Sequence, residues 1–367
     1  MPDKSKEKGK SKARGLTESR VREEIRELSA YSVPHIEAPV KLDGNESPFS
    51  LPPEVGEKVI EKLRSVDVNR YPDPEALGLR ELISRINDFP LGGILLGNGS
   101  DELIGMLIAA CSGGTGRVLC PAPTFSMYRI TGVALGREVL EAGLDRNFDL
   151  DMEAMPALID EKDPDLIFLA SPNNPTGNAY SSDRIRELIK LSKGVVVVDE
   201  AYSDFSGHTF LPLINKHENL VILRTLSKVG FAGLRLGILY GREELVREIN
   251  KVRYPYNINS LTQAAAGVVL GNHEFVTENI QLIVRERDRV YKALSGMKGV
   301  EAFRSDANFI LFRVGDADSV FKALVERGVL IRNFNRPGRL ENCMRVTIGT
   351  PYENDSFLNA LGSALSS

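Results

Sequence analysis

Between residues 94 and 240, short apolar runs alternate with segments whose apolar residues recur at helical spacing. The apolar runs lack the alternation of a sheet with one solvated face, so each predicts a strand that is buried on both sides. Strands separated by helices favour an α/β fold with a mainly parallel sheet covered by helices on both faces. The predicted strands are 94–96, 117–120, 137–141, 166–170, 195–198, 221–223 and 236–240.

The pattern changes after residue 260. A long helical region with a break at Gly271-Asn272 leads into short apolar runs around one helix, which indicates a smaller α+β domain. In this part the predicted helices are 260–295, 317–326 and 354–365, and the predicted strands are 300–303, 309–314, 329–331 and 344–348. The predicted units are a disordered basic tail at 1–15, an N-terminal helix and arm at 16–52, a large domain at 53–260, and a small C-terminal domain with its connecting helix at 261–367.

The N-terminal segment 1–15 interleaves lysines with serine and glycine, and it has almost nothing to bury. This composition predicts a disordered tail, and the alternative is an arm that binds nucleic acid. Thr17 is placed to cap a short helix that runs to residue 28.

The composition is ordinary for a soluble globular protein, since 42% of the residues are hydrophobic and 26% are charged. The length of 367 residues suggests about two domains. No apolar stretch is long enough to cross a bilayer, and the N-terminus lacks the apolar core of a signal peptide. A net charge of −4 gives no general attraction to nucleic acid. The three cysteines are far apart, which suits reduced thiols in a cytoplasmic protein. The four histidines lack metal-ligand spacing, so no metal site is expected.

Polar or aromatic side chains follow several of the predicted strands. Phe125, Asn174, Asp199 and Lys228 each lie just beyond a strand's carboxyl end. Ligands of open parallel sheets bind at this edge, so we expect these four residues to converge on one site.

Lys228 lies in a loop rich in hydroxyl groups and glycine, between two apolar runs. A buried ammonium group is costly unless it is paired or used chemically. The chemical use is an amine nucleophile that forms a Schiff base with a carbonyl cofactor. The alternative is a surface lysine in a polar turn.

Residues 97–102 form a glycine turn between a predicted strand and a predicted helix. This arrangement offers backbone N–H groups and the positive end of a helix to an anion. Glu102 stands where a dinucleotide fingerprint has its third glycine, so a lone phosphate is favoured over a dinucleotide. Capping of the helix by Ser100 or Asp101 is compatible with phosphate binding.

Asp199 ends a run of four valines, where a carboxylate needs a cationic partner such as a protonated ring nitrogen. Tyr202 and Asn174 are placed to hydrogen-bond the same ligand, and Arg235 suits a phosphate. Each has a purely structural alternative: a turn cap, a half-buried tyrosine, an Asn-Pro turn or a surface ion pair. Together they specify a flat cationic ring with a phosphate and an aldehyde, which is pyridoxal phosphate.

The segments 171–177, 199–202 and 227–235 closely resemble those of the fold-type I aminotransferases, and the resemblance covers almost everything after the tail. Finer motifs are most similar to those of the histidinol-phosphate aminotransferases within that family. These motifs are 43–49, 70–73, 97–102, 123–128 and 345–350.

The resemblance implies a role for each cofactor residue. Lys228 holds the cofactor as a Schiff base and then moves the proton, Asp199 pairs with the ring nitrogen, and Phe125 stacks on the ring. Asn174 and Tyr202 contact the ring hydroxyl. The residues implied to hold the phosphate are Ser100, Asp101, Thr225, Ser227, Arg235 and, from the neighbouring subunit of a homodimer with shared active sites, Tyr71.

The resemblance also implies that Arg345 binds the carboxylate of glutamate and the phosphate of histidinol phosphate. The further candidates for the substrate pocket are Tyr31, Asn45, Tyr256 and Arg332. The implied reaction transfers an amino group between histidinol phosphate and 2-oxoglutarate in histidine biosynthesis, in the cytoplasm. The alternatives are an aromatic-amino-acid aminotransferase, a threonine-phosphate decarboxylase of the same fold, and a non-catalytic relative that binds nucleic acid.

Overall fold

The computed structural model of the chain describes residues 20–29 and 36–366. The predicted tail at 1–15, the predicted cap Thr17 and the candidate substrate residue Tyr31 lie outside these ranges. Within them, no helix is long and apolar enough to cross a membrane.

Strands β1 to β13 of the described residues fall in two larger sheets and one short pair. In chain order they are Val40–Lys41, Ile94–Asn98, Arg117–Ala122, Glu138–Gly143, Leu166–Ala170, Val195–Asp199, Leu220–Thr225, Leu236–Tyr240, Glu301–Ala302, Phe309–Arg313, Val329–Leu330, Arg332–Asn333 and Cys343–Thr347.

Helices cover both larger sheets. The α-helices are Glu23–Glu27, Pro53–Arg64, Leu77–Asn87, Ser100–Cys111, Met127–Ala134, Ala154–Lys162, Ser182–Leu191, Ser203–Ser206, Glu243–Asn250, Ser260–Leu270, Glu274–Ser295, Ala317–Glu326 and Pro351–Leu365. Short 3-10 helices span Leu91–Gly93, Leu211–Leu213, Leu226–Lys228 and Ala232–Leu234.

The large sheet has seven strands in the order β2-β8-β7-β6-β5-β3-β4. Only β8 runs opposite to the other six strands, so the predicted mainly parallel sheet is confirmed. In β5, Leu166 and Phe168 pack into one hydrophobic cluster, whereas Ile167 and Leu169 pack into another. Successive side chains of a strand point to opposite faces, so both faces of this sheet are buried, as the unbroken apolar runs predict.

The smaller sheet has four antiparallel strands in the order β12-β13-β10-β9. Its cluster of buried residues also contains Val40 and Leu42, because the arm adds strand β1 in parallel to β11. This arm strand was not predicted from the sequence, since it is only two residues long. The predicted α/β fold with a smaller α+β part is confirmed, and the exact domain boundaries stay predictions.

Several helix ends differ from the predicted ones. The last helix begins at Pro351 and not at residue 354, because Thr350 and Glu353 form a capping box and proline is tolerated in the first turn. The predicted break at Gly271-Asn272 is confirmed. The helices Met127–Ala134 and Ala154–Lys162 were not predicted.

Gly237 of β8 packs closely against the start of the helix Ser100–Cys111. A Cβ atom on Gly237 would lie 2.5 Å from both the Gly99 carbonyl carbon and the Ser100 nitrogen, and both are backbone atoms. We therefore expect Gly237→Ala to destabilise the protein by roughly 2 kcal/mol and to lower its thermal unfolding midpoint by several degrees.

The matched control is Gly56→Ala, which adds the same methyl group inside the helix Pro53–Arg64 with no neighbouring atom within 4 Å. Alanine is the better helix former, so this variant should be as stable as the parent or slightly more stable. Equal midpoints for the two variants would show that the close approach at Gly237 does not constrain the fold.

Candidate active site

A cavity of about 180 Å³ lies at the carboxyl edge of the large sheet, where β3, β5, β6 and β7 end. It brings together most of the side chains that the sequence singled out. The candidates that line it are Asn45, Ser100, Asp101, Phe125, Asn174, Asp199, Tyr202, Thr225, Ser227, Lys228, Arg235, Arg332 and Arg345.

Lys228 ends the 3-10 turn that follows β7. The Thr225 hydroxyl caps this turn by accepting a hydrogen bond from the Ser227 backbone N–H at 3.2 Å. The Lys228 Nζ atom lies 5.7 Å from the centre of the Tyr202 ring, and no carboxylate of the described residues forms an ion pair with it. The capped turn therefore presents a primary amine to the cavity without neutralising it by a carboxylate.

Asp199 is buried at the end of β6, with 4% of its surface exposed. Its carboxylate accepts hydrogen bonds from the Tyr128 hydroxyl at 2.7 Å and from the Ala201 N–H at 3.0 Å. Burial raises the pKa of Asp199 to about 6, although both hydrogen bonds act in the opposite direction. The site therefore favours a cationic partner, which would stabilise the ionised carboxylate.

Tyr128 was not among the predicted site residues. Its ring is fully buried, stacks on Phe168 with centroids 4.7 Å apart, and meets the edge of Phe125 at 5.6 Å. Burial and the nearby Asp199 keep the pKa of Tyr128 well above its usual value, so the phenol stays a hydrogen-bond donor. Its spacing after Phe125 was visible in the sequence, but nothing there showed that its hydroxyl reaches the end of β6.

One end of the cavity has the features of an anion site. The helix Ser100–Cys111 begins there, and Gly99 before it has a φ of 77°, a conformation that favours glycine. A Cβ atom on Gly99 would lie 2.5 Å from a guanidinium nitrogen of Arg235. That guanidinium also contacts Asp101 at 3.1 Å and Ser227 at 3.5 Å. A helix terminus, hydroxyl groups and a guanidinium together suit a phosphate.

Tyr202 lies between two amide side chains. Its hydroxyl oxygen accepts a hydrogen bond from Asn45 at 2.9 Å, and the Asn174 amide lies 3.5 Å away. Because both amides offer protons to this oxygen, the hydroxyl proton of Tyr202 is left to donate toward a ligand.

The other end of the cavity carries two guanidinium groups. Arg332 and Arg345 are directly opposite each other on the neighbouring strands β12 and β13. Arg345 is buried between the rings of Phe309 and Phe334, with its guanidinium carbon 5.1 and 5.2 Å from their centres. It donates to the Asn174 side chain at 2.6 Å. Like charges placed opposite each other repel, so an anionic ligand between them would be stabilising.

Two of the described candidates do not line this cavity. Tyr71 is 80% exposed, its ring stacks on that of Tyr256 with centroids 4.5 Å apart, and neither residue lines the cavity. Tyr31 lies outside the described residues. Their predicted roles therefore stay predictions.

The raised pKa of Asp199 has a consequence for the protein without ligand. A folded-state carboxyl pKa of about 6, against an ordinary 3.8, means that stability is lost as the pH rises through this window. At pH 8 we expect Asp199→Asn to be more stable than the ligand-free parent, with a free energy of unfolding that is higher by on the order of 3 kcal/mol. It should therefore also unfold at a higher temperature. The difference should shrink at pH 4.5, as followed by thermal unfolding at both pH values.

The matched control for this measurement is Asp183→Asn. The Asp183 side chain is 94% exposed, so its loss should give the same small difference at both pH values. If the difference in stability between Asp199→Asn and the parent does not depend on pH, the buried carboxylate of Asp199 does not destabilise the ligand-free protein.

Comparison with known proteins identifies the family. The profile of the family described as aminotransferase class I and II matches residues 37–361. A histidinol-phosphate aminotransferase 2 of Nitrosococcus oceani is 45% identical over 93% of this chain and 96% of its own length. A histidinol-phosphate aminotransferase of Aquifex aeolicus is 44% identical over 94% of this chain and 97% of its own.

Solved structures agree on the fold. A histidinol-phosphate aminotransferase from Sinorhizobium meliloti, in complex with pyridoxal-5'-phosphate, superposes with a TM-score of 0.85 at 23% identity, covering 95% of this chain and 98% of that one. The enzyme of the same name from Clostridium acetobutylicum has a TM-score of 0.81 at 26% identity, covering 89% and 99%. With the profile and the curated relatives matching nearly the whole described sequence, the chain belongs to the class I and II aminotransferase family.

Proposed function

We propose that this chain transfers the amino group of histidinol phosphate to 2-oxoglutarate, reversibly, giving imidazole acetol phosphate and glutamate in histidine biosynthesis. The observation that carries the proposal is the arginine pair, Arg332 and Arg345, which lines the same cavity as Lys228 and Asp199. Relatives at 44–45% identity that carry the corresponding enzyme name support it.

The residues of the cavity fit pyridoxal phosphate as the cofactor. Asp199 suits its ring nitrogen, because this buried carboxylate lacks a cationic partner among the described residues. The helix start at Ser100, with Ser227 and Arg235, suits its phosphate, and Phe125 is placed to pack on its ring. When bound, the cofactor supplies an aldehyde that condenses with amines and a ring that withdraws electrons.

Lys228 has two roles in this proposal. Its amine would hold the cofactor covalently, and the same amine would take and return the proton at the substrate's reacting carbon. The capped turn at Leu226–Lys228 holds it in place for both steps. The Tyr202 hydroxyl, fixed by Asn45 and Asn174, would donate a hydrogen bond to the ring hydroxyl of the cofactor.

Arg332 and Arg345 give both substrates a common anchor. One substrate is a phosphate monoester and the other is a dicarboxylate, and guanidinium groups bind both anions in bidentate geometry. The ring faces of Phe309 and Phe334 hold the Arg345 guanidinium, so that it is already oriented before a substrate arrives.

The proposed assembly is a homodimer with shared active sites. Tyr71 and Tyr256 form an exposed aromatic pair, and Tyr254 nearby is 78% exposed. Exposed aromatic residues are typical of the core of protein interfaces. In this assembly Tyr71 reaches the cofactor phosphate of the neighbouring subunit. We place the reaction in the cytoplasm, which the free thiols of Cys111, Cys120 and Cys343 support.

The direct test is a substrate panel with the cofactor-loaded protein. Glutamate formation from 2-oxoglutarate is followed with histidinol phosphate, phenylalanine or tyrosine as amino donor, and carbon dioxide release is followed with threonine phosphate. The proposal expects the highest kcat/KM for histidinol phosphate. Faster transfer from an aromatic amino acid, or release of carbon dioxide, would replace it with one of the alternatives.

Replacing one guanidinium by an ammonium group tests the arginine anchor. We expect Arg345→Lys to lower kcat/KM about 10- to 100-fold for both histidinol phosphate and 2-oxoglutarate, since a lysine keeps the charge but loses bidentate binding. Cofactor affinity should stay near that of the parent. Arg186→Lys is the matched control, because Arg186 is half-exposed on a remote helix. A loss confined to one substrate would show that the anchor is not shared.

Mixing two defective variants tests the shared active site. Tyr71→Phe keeps the stack on Tyr256 but removes the hydroxyl, so it should weaken cofactor binding about 10-fold. Lys228→Ala should be inactive. In a mixed dimer one site receives neither change, so mixing the two variants at limiting cofactor should yield more activity than their average. Activity equal to the average would place Tyr71 outside the partner's site.

A further inference from the structure

A second cavity of about 190 Å³ lies behind the turn that carries Lys228. Its walls come from the helices Leu77–Asn87, Ser260–Leu270 and Glu274–Ser295, and from the ends of β7 and β8. It shares only Thr225 with the lining of the active-site cavity. It is therefore a distinct space, and no residue assigned above to substrate binding lies in it.

The turn after β7 is a wall between the two cavities. Ser227 and Lys228 line the active-site cavity, Leu226 and Val229 line the second one, and Thr225 lines both. The segment after β6 is divided in the same way, since Tyr202 lines the first cavity and Asp204 lines the second. Anything that fills the second cavity therefore packs against the back of both segments that carry the reactive residues.

The walls of the second cavity are mostly apolar, with Ile83, Phe231, Val276 and Ile280 among them. A cavity of about 150 Å³ with such walls accommodates a benzene ring, so this one has room for an aromatic ring and a short polar head. Leu226 and Phe231 are buried and Val276 and Ile280 are half-buried, so the cavity is accessible to solvent on the side of Val276 and Ile280.

The charged groups of the cavity favour a cation. Arg224 is already bound, because it donates to Glu200 at 3.0 Å, to Thr209 at 2.8 Å and to Asn87 at 3.0 Å. The carboxylate of Asp204, by contrast, takes part in no side-chain hydrogen bond or ion pair of the described residues; burial raises its pKa, and the positive charge of Arg224 acts in the opposite direction. The cavity thus combines apolar walls with one carboxylate that has no ion-pair partner among the described residues.

We propose that this cavity is a regulatory binding site for a small amphipathic ammonium compound, with its apolar body against Leu226 and Val229 and its cationic head at Asp204. Occupation holds the back of the Lys228 turn, because those two side chains can then no longer move into the empty space. The binding part of the proposal is independent of the proposed reaction, whereas its effect on the active site rests on the proposed cofactor.

The probe is N,N-dimethyl-2-phenylethylamine, a tertiary amine that cannot condense with an aldehyde. Its binding is measured by calorimetry with the full-length protein, both loaded with cofactor and free of it. We expect one site per chain with a Kd on the order of 1 mM or below, in the range for a ligand of this size. Phenylacetate has a similar apolar body and the opposite charge, so it should bind at least about fivefold more weakly.

Two variants locate the site, and one is a control. Ile280→Phe partly fills the accessible side of the cavity with a larger side chain and should abolish binding, with Val276→Phe as the replacement if the first variant does not fold. Asp204→Asn should weaken binding of the ammonium probe roughly three- to fivefold. It should leave the binding of 2-phenylethanol, an uncharged ligand with a similar apolar body, unaffected. Asp183→Asn removes an exposed carboxylate that does not line the cavity, and it should change nothing.

Coupling to the active site is measured as the rate of cofactor release after dilution into a trapping solution. Saturating probe should slow the release at least about threefold in the parent and leave it unchanged in Ile280→Phe. The site would be overturned if the probe bound both filling variants as tightly as the parent, or if phenylacetate bound the parent as tightly as the probe. Binding that leaves cofactor release unchanged would overturn the coupling, and neither result depends on which substrate the enzyme uses.

Discussion

The organisation of the site depends on one buried carboxylate. Asp199 ends a strand with no exposed neighbours, and it holds its charge there with a tyrosine hydroxyl and one backbone N–H as hydrogen-bond donors. Two neutral donors do not replace the water that a carboxylate loses on burial, which is why its pKa rises. The folded protein therefore carries a cost at this position, and a cationic ligand removes it. At Asp199, the same burial that lowers the stability of the ligand-free fold favours the binding of a cationic ligand.

The other charges of the cavity are arranged around that carboxylate. Arg235 and the start of the helix at Ser100 lie at one end, and Arg332 with Arg345 lie at the other. Lys228 lies in the same cavity, on the turn that the Thr225 hydroxyl caps. Parallel strands bring their carboxyl ends to one edge, so residues far apart in sequence meet without long connecting loops. A ligand with a cationic ring, an anionic tail and an anionic substrate partner matches this order of charges.

Much of the fold and of the cavity was predictable from the sequence. Unbroken apolar runs mark strands that are buried on both faces, and the ends of such strands predict where Asn174, Asp199 and Lys228 lie. Tyr128 was missed because its role depends on a hydroxyl that reaches across from another strand end, and spacing along the chain carries no such distance. The arm strand β1 was missed because two residues give no periodicity, and its pairing with β11 is set by tertiary contacts. Tyr71 and Tyr256 are exposed in the single chain. Their proposed roles depend on a subunit interface, which a single chain does not contain.

The pairing of Asp199 with a ring nitrogen is tested most directly by measuring two cofactor affinities in two proteins. The ligands are pyridoxal phosphate and an analogue in which a C–H group replaces the ring nitrogen, and the proteins are the parent and Asp199→Asn. The account predicts that the parent binds pyridoxal phosphate about 10- to 100-fold more tightly than the analogue, and that Asp199→Asn loses most of this preference. An equal preference in both proteins would contradict it, because the buried carboxylate would then not be the partner of the ring.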